Sequence, residues 1–289
     1  MRIFITGGTG FIGTPAVREL LRDGHKLLLM VHGAGRPGFM PSPNLKIFKG
    51  DLGEVSSYRA EVRTFRPEAL VHLAWEGIPD FGMENCLKNV IQSVRLFETV
   101  SALGTRLVVA SGSCWEYLDL AGKRQESDLL NSENLFAAAK NFVHLAGRKL
   151  AEKNGKNFVW LRFFYVYGPG QKSSSLIPHL IHSMLAKQKP EIKNPGIEND
   201  FIYVKDVARA LAMIVKRAKQ SAVYNVGSGK AVSVGKITKM IYPHYTARRS
   251  GKTPGSYADI SKIRKTIGWQ PKTDIKTGIR ETIKYFMSR

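Results

Sequence analysis

Residues 6–13 read Thr-Gly-Gly-Thr-Gly-Phe-Ile-Gly, directly after the apolar run Ile3-Phe4-Ile5. A short buried strand that ends there must turn sharply, let its backbone approach a ligand closely, and open a helix packed tightly on a sheet. Gly7, Gly10 and Gly13 meet those three needs in order. The following helix, expected over 11–23, carries apolar residues at Phe11, Ile12, Ala16, Val17, Leu20 and Leu21 and stops at Gly24. Its first turn offers free N–H groups and the positive end of the helix dipole, which suits a diphosphate. With a second apolar strand expected over 26–31, the pattern is a dinucleotide-binding strand–helix–strand unit.

The rest of the chain keeps that rhythm. Apolar runs at 46–48, 69–74, 107–110 and 158–164 read as buried parallel strands, separated by helical stretches at 54–64, 84–103 and 132–152. Alternation of this kind predicts an α/β fold, a doubly wound parallel sheet of the Rossmann type. After Tyr167-Gly168-Pro169-Gly170 the pattern turns mainly helical, at 174–187, 206–218, 233–242 and 276–287, with short strands at 201–204 and 223–226. The expected division is a dinucleotide-binding domain over 1–170, to which segments within 200–228 return. A smaller, mainly helical substrate lobe over 171–289 closes over the carboxyl edge of the sheet.

No apolar run approaches the ~18 residues of a membrane span, and no basic-then-apolar leader precedes the first strand. A cytoplasmic protein without a membrane partner is expected. Cys86 and Cys114 lack metal-ligand spacing and read as free thiols; His144, His179 and His182 form no convergent set, so no metal is assigned. The formal charge of +21 is unevenly placed: residues 1–150 carry 18 lysines and arginines against 15 acids, residues 151–289 carry 26 against 8. Such a field attracts phosphorylated ligands or nucleic acid. Scattered lysines such as Lys216, Lys219, Lys236 and Lys239 read instead as solvated helix faces, and nucleic acid is not the expected partner.

Further motifs accompany the glycine loop: Gly50-Asp51-Leu52, Val71-His72-Leu73-Ala74, Arg162-Phe163-Phe164-Tyr165-Val166-Tyr167-Gly168-Pro169-Gly170, Asp200-Phe201-Ile202-Tyr203-Val204, Tyr224-Asn225-Val226-Gly227-Ser228-Gly229, Ala258-Asp259-Ile260-Ser261-Lys262 and Gly268-Trp269-Gln270-Pro271. In order and spacing, over nearly the whole chain, they resemble the extended short-chain dehydrogenase/reductases of the NAD-dependent epimerase/dehydratase type, which act on nucleotide sugars. The resemblance implies catalysis by a Ser or Thr that binds the reacting oxygen and by a Tyr four residues before a Lys. The Lys lowers the phenol's pKa so that it can pass a proton during hydride transfer. The serine falls on Ser113. Where 4,6-dehydratases have Asp and Glu next, this chain has Cys114 and Trp115, which disfavours dehydration and leaves 4-keto reduction or C4 epimerisation.

At the Tyr/Lys pair the match breaks. Lys140 is present, but the tyrosine position holds Phe136, and no lysine in the chain has a tyrosine four residues before it. Losing a general acid commonly costs ~10²–10⁴-fold in rate. Three readings stand side by side: a deliberate Tyr-to-Phe replacement; a natural one served by another donor, with Tyr117, Tyr165, Cys114 or a lysine-bound water as candidates; and a silent family member that binds RNA or another polyanion through its basic half.

The resemblance also implies the binding residues. For the cofactor these are Gly7, Gly10, Phe11, Ile12, Gly13, Asp51, Leu52, Leu73, Ala74, Trp75, Asn89, Ser111, Lys140, Phe163 and Val166. The second strand ends in Val31 and His32, with Arg36 beyond, and no acid there to hold ribose hydroxyls, which tilts NADP over NAD. For the nucleotide sugar they are Cys114, Trp115, Tyr165, Ile177, Asn199, Phe201 and Arg249, the last a candidate fork for the diphosphate. A homodimer is implied as well.

Overall fold

The computed structural model describes residues 1–33, 39–119, 121–246 and 253–288. Strand β1 (Arg2–Thr6) runs into helix α1 (Gly13–Arg22), followed by β2 (Lys26–Val31), β3 (Leu45–Lys49), α2 (Ser56–Phe65), β4 (Ala69–His72), α3 (Met83–Ala102) and β5 (Leu107–Ser113). A single 3₁₀ turn, Cys114–Glu116, leads to β6 (Gly122–Arg124), α4 (Leu135–Lys153), β7 (Asn157–Phe163), β8 (Tyr165–Tyr167) and α5 (Leu176–Leu185). Then come β9 (Glu198–Tyr203), α6 (Val204–Arg217), β10 (Ala222–Val226), β11 (Ala231–Ser233), α7 (Val234–Ile241), β12 (Ser256–Ala258), α8 (Ser261–Ile267) and α9 (Ile275–Met287).

Seven strands form one parallel sheet in the order β3-β2-β1-β4-β5-β7-β10. Strand order reverses between β1 and β4, so the loops leaving these two strands open a crevice at the carboxyl edge, where doubly wound sheets bind ligands. Both sheet faces are covered, and alternate residues of one strand serve opposite cores. Ile3 and Ile5 pack with Val17 and Leu20 of α1 and Leu211 of α6, whereas Phe4 packs with Tyr58 of α2 and Leu96 of α3. This two-sided burial is why the strands read as continuous apolar runs.

The lobe is built on a small sheet, β8 parallel to β9 and β11 antiparallel to β9. Ile177, Leu180 and Ile181 of α5, Ile237 and Ile241 of α7, and Ile279 of α9 share one core with Phe201 and Tyr203 of β9. Two buried aspartates tie lobe and sheet. Asp200 accepts backbone N–H bonds from Ser228, Gly229 and Ala258, and a Cβ at Gly227 would lie 2.6 Å from its carboxylate, so the Asn-Val-Gly-Ser-Gly segment is a structural clasp. Asp206 accepts from Lys272 and Thr273, while its carbonyl takes the Trp269 indole N–H at 3.2 Å.

Element limits differ from the sequence expectation where hydrogen bonds outweigh apolar pattern. The first helix starts at Gly13 and not at 11, because Gly10 N–H closes a turn on Gly7 O at 3.1 Å. The helix expected from 132 starts at Leu135, because the Asn134 side chain caps it by accepting Ala137 N–H. Strand β5 runs on to Ser113, since Ser111, Gly112 and Ser113 stay in register with Leu161, Arg162 and Phe163 of β7. The three-residue strands β6, β8, β11 and β12 were not expected; nothing so short carries a periodicity.

Candidate active site

The glycine loop is locked by contact. Gly7 has φ +72°, and a Cβ there would sit 2.4 Å from Ala74 N; a Cβ at Gly13 would sit 2.0 Å from Gly7 O. The loop therefore presses against the end of β4, and the head of α1 has no side-chain cap, Ile12 standing at the cap position. Both features leave backbone N–H groups facing the crevice.

From this loop a cavity of about 670 Å³ extends to the lobe. Gly7, Gly10, Phe11, Ile12 and Gly13 line one end, with Leu73 and Trp75 after β4. Ser111, Ser113, Cys114, Trp115, Phe136 and Lys140 line the middle. Phe163, Tyr165 and Val166, with Ile177, Asn199 and Phe201, come from the switch into the lobe. Nineteen sequence-assigned residues, spread over 195 positions of chain, thus meet on one wall.

The remaining assignments fall elsewhere. His32 and Asp51 face each other at 3.8 Å at the exposed far edge, beyond the cavity wall. Leu52 is a core residue under the sheet, and Ala74 lies off the cavity wall with its backbone packed against Gly7. Asn89 is engaged with the loop after β4: Oδ1 accepts Glu76 N–H at 2.8 Å and Nδ2 donates to Glu76 O and Asn85 O, which leaves the second lone pair of Oδ1 for a ligand. Arg36 and Arg249 lie outside the described residues. Gly77, Ile78, Phe81, Gln171 and Lys172 line the cavity without having been singled out; they sit on loops, where sequence pattern gives no signal.

Ser113 ends β5 and caps the turn behind it. Its Oγ accepts Trp115 N–H at 3.2 Å, which leaves the hydroxyl proton free to donate to a ligand oxygen. Its own N–H donates to Glu116 Oε1 at 2.7 Å. Glu116 is fully buried and also takes Trp160 Nε1 at 2.8 Å and Arg162 Nε at 2.9 Å. Gly112 can only be glycine, since a Cβ would lie 2.4 Å from both Glu116 Oε1 and Trp160 Nε1.

Phe136 belongs to a cluster of four rings, with centroids 4.6 Å from Phe81, 5.5 Å from Trp75 and 6.0 Å from Trp115. Lys140, one helical turn on, is 4% exposed; its Nζ donates to Ser111 O at 2.9 Å and lies 3.7 Å over the Trp75 ring. Burial brings its ammonium down to about 7, a fall that the Glu116 charge partly offsets. Burial likewise holds the Cys114 thiol protonated, and it lifts the Tyr117 phenol to about 12. Tyr117 is fully buried and spends its O–H on Asn225 Oδ1 at 2.6 Å, so it has no proton to offer this cavity. Among the described residues no group of three or more His, Cys, Asp or Glu side chains forms a metal-holding cluster, and no helix is long and apolar enough to cross a membrane.

Fold, glycine loop and cavity define a Rossmann-type α/β protein with a smaller lobe over the carboxyl edge of its sheet. Residues 3–227 match the model of the NAD dependent epimerase/dehydratase family, and the chain belongs to that family. It is 28% identical over 236 residues to the dTDP-6-deoxy-L-talose 4-dehydrogenase (NAD(+)) of Aggregatibacter actinomycetemcomitans, covering 81% of this chain and 87% of that one. Its fold is similar to that of a Thermotoga maritima UDP-glucose 4-epimerase solved with UDP-glucose, with TM-score 0.87 and 22% identity over 100% and 99% of the two chains. It is also similar to MoeE5 solved with UDP-glucuronic acid and NAD, with TM-score 0.82 and 28% identity over 100% and 99%.

Proposed function

We propose that the protein is an NAD(P)-dependent oxidoreductase or epimerase of a nucleotide-linked deoxysugar, acting by 4-keto reduction or C4 epimerisation. The observation that carries this reading is the single cavity in which the glycine loop, Ser113 and Lys140 face Tyr165, Asn199 and Phe201 of the lobe. When bound, a nicotinamide cofactor would supply or accept the hydride at the sugar carbon.

The chain's own residues do the rest. Backbone N–H groups at Phe11–Gly13 would hold a pyrophosphate, and Lys140 stands one turn from Phe136 where the nicotinamide ribose would lie. The free proton of the Ser113 hydroxyl points polarisation at the sugar oxygen. Rings of Phe81, Trp115 and Phe136 give the sugar an apolar floor, which suits a carbon lacking its hydroxyl. Phe136 within that ring cluster supports a natural phenylalanine. Residues 171–289 would supply most of the nucleotide's hold.

On cofactor choice, the tilt toward NADP read from His32 meets an opposing charge. The Asp51 carboxylate, 3.8 Å from the His32 ring, would repel a 2′-phosphate and could accept ribose hydroxyl bonds, which favours NAD. A homodimer is supported by apolar residues left exposed on the outer faces of α3 (Met83, Leu87, Ile91) and α4 (Phe142, Leu145). A cytoplasmic location is part of the same reading.

The test is to assay purified protein against dTDP-, UDP- and CDP-linked 4-keto-6-deoxyhexoses with NADH and NADPH, alongside the Phe136→Tyr variant. Turnover of a nucleotide-linked sugar by either form supports the reading; inertness of both across the panel overturns it.

A further inference from the structure

We propose that Lys140 is itself the proton donor to the sugar oxygen, performing the step that a phenol at position 136 would otherwise perform. The proposal rests on the nucleotide-sugar reading above and names the group that makes the site competent without that phenol.

The geometry leaves few other donors. Among cavity-lining side chains, Cys114, Tyr165 and Tyr167 carry dissociable protons, but burial raises all three groups and holds their protons tightly at neutral pH. Lys172 also lines the cavity, but it lies on the loop before α5 and not on the helix that carries Phe136, and its Nζ donates to Ile78 O at 2.7 Å. Lys140 sits between Ser111 O and the Trp75 ring of the four-ring cluster, on the helix face that Phe136 shares. Its contacts are a neutral carbonyl and a ring face, with no carboxylate bonded to it. One of its three N–H bonds points to Ser111 O and one faces the Trp75 ring, which leaves the third for a ligand oxygen.

The charged and titratable groups around it come from every packed element. Glu116, from the turn after β5, favours the ammonium but is held by Arg162 of β7. His72 of β4 and His144 of α4 are both kept neutral by burial, and Cys86 of α3 keeps its proton. Removal from water therefore dominates, and it brings the lysine into the range where a general acid works best at neutral pH.

In the reductive direction a bound reduced nicotinamide would supply the carbonyl carbon with two electrons and a hydrogen and would itself be oxidised. The carbonyl oxygen then takes a proton from Nζ: the Nζ–H bond breaks, an O–H bond forms, and Lys140 is left as a neutral amine. Its next proton comes from water.

The experiment has two arms. The first is the pH dependence of turnover of nucleotide-linked 4-keto-6-deoxyhexoses by the wild type, Lys140→Arg and Phe136→Tyr. The wild-type reduction rate is expected to fall about tenfold per pH unit above roughly 7, as the donor loses its proton. Lys140→Arg keeps the charge without a labile proton and is expected to lose on the order of 10²-fold or more in kcat, while cofactor binding changes only a few-fold. In Phe136→Tyr the limb moves, because a second donor is present. The second arm is tryptophan fluorescence of the cofactor-free protein, where the ammonium on the Trp75 ring should give a transition between about pH 6 and 8 that Lys140→Met lacks.

Wild-type turnover with Lys140→Arg within a few-fold of it overturns the proposal alone. So does the absence of a fluorescence transition below pH 9. Inertness of wild type and Phe136→Tyr on every sugar overturns the functional reading, and the proposal with it.

Discussion

Glu116 and Arg162 meet at 2.9 Å with side chains 0% and 2% exposed, directly behind the Ser113 backbone. Each alone would be an uncompensated buried charge. Removing one partner of such a pair costs about 3–5 kcal/mol. Glu116→Ala is expected to lower unfolding free energy by that order in denaturant titration, and Glu116→Gln by less, since the amide oxygen can still accept from Ser113 N–H. Loss of under about 1 kcal/mol in the alanine variant would show that the pair adds little.

Gly13→Ala places a methyl 2.0 Å from Gly7 O and 2.6 Å from Gly8 Cα, both backbone atoms that cannot move aside. We expect a stability loss of about 1–3 kcal/mol from overpacking, and loss of dinucleotide binding measured by calorimetry. Gly24→Ala serves as control: its φ of +77° is strained for alanine, but nothing lies within 4 Å of a Cβ there. It should cost stability without touching cofactor affinity.

His72 and His144 are held down by burial, to about 3 and about 4, against 6.5 for a free imidazole. A folded-state value below the unfolded one means that the unfolded chain binds the proton first. The stability each contributes is therefore complete above pH 6.5 and drains as pH falls toward the folded value, at up to about 1.4 kcal/mol per pH unit for each histidine. Thermal melting should show a midpoint falling steadily from pH 6.5 to 4. His144→Phe keeps the ring stacked on Trp160, 5.4 Å away, and should flatten part of that slope.

Both cysteines are buried and have thiols raised by that burial. Neither should react quickly with a thiol-directed disulfide reagent at pH 8 in the folded protein, and both should react at once in guanidinium. Rapid labelling of Cys114 in the native state would mean that the cavity floor opens.

The doubly wound sheet was legible because its inner strands β1, β4, β5 and β7 are buried on both faces and its helices on one, so pattern and fold express the same constraint. The convergence of Ser113, Phe136 and Lys140 on one cavity was legible because these lie in motifs tied to a strand end and a helix face. The loop-holding bonds of Asn89 were not legible for a physical reason: they depend on where Glu76 and Asn85 stand in space, and spacing along the chain does not give that. Phe81 was missed because the stretch joining β4 and α3 has no period, and its place against Phe136 comes from the path of that loop.

The sequence by itself determined the glycine loop, the parallel sheet and the absent phenol at position 136, since these rest on residue identity and short-range spacing. Only the tertiary structure decided what surrounds that position. It folds Trp75 and Phe81 of the β4–α3 loop and Trp115 of the turn after β5 onto Phe136, and it buries Lys140 beneath the indole of Trp75 with Ser111 O as its hydrogen-bond acceptor. The energy of a buried ammonium depends on the groups brought near it in space, and spacing along the chain does not carry that information.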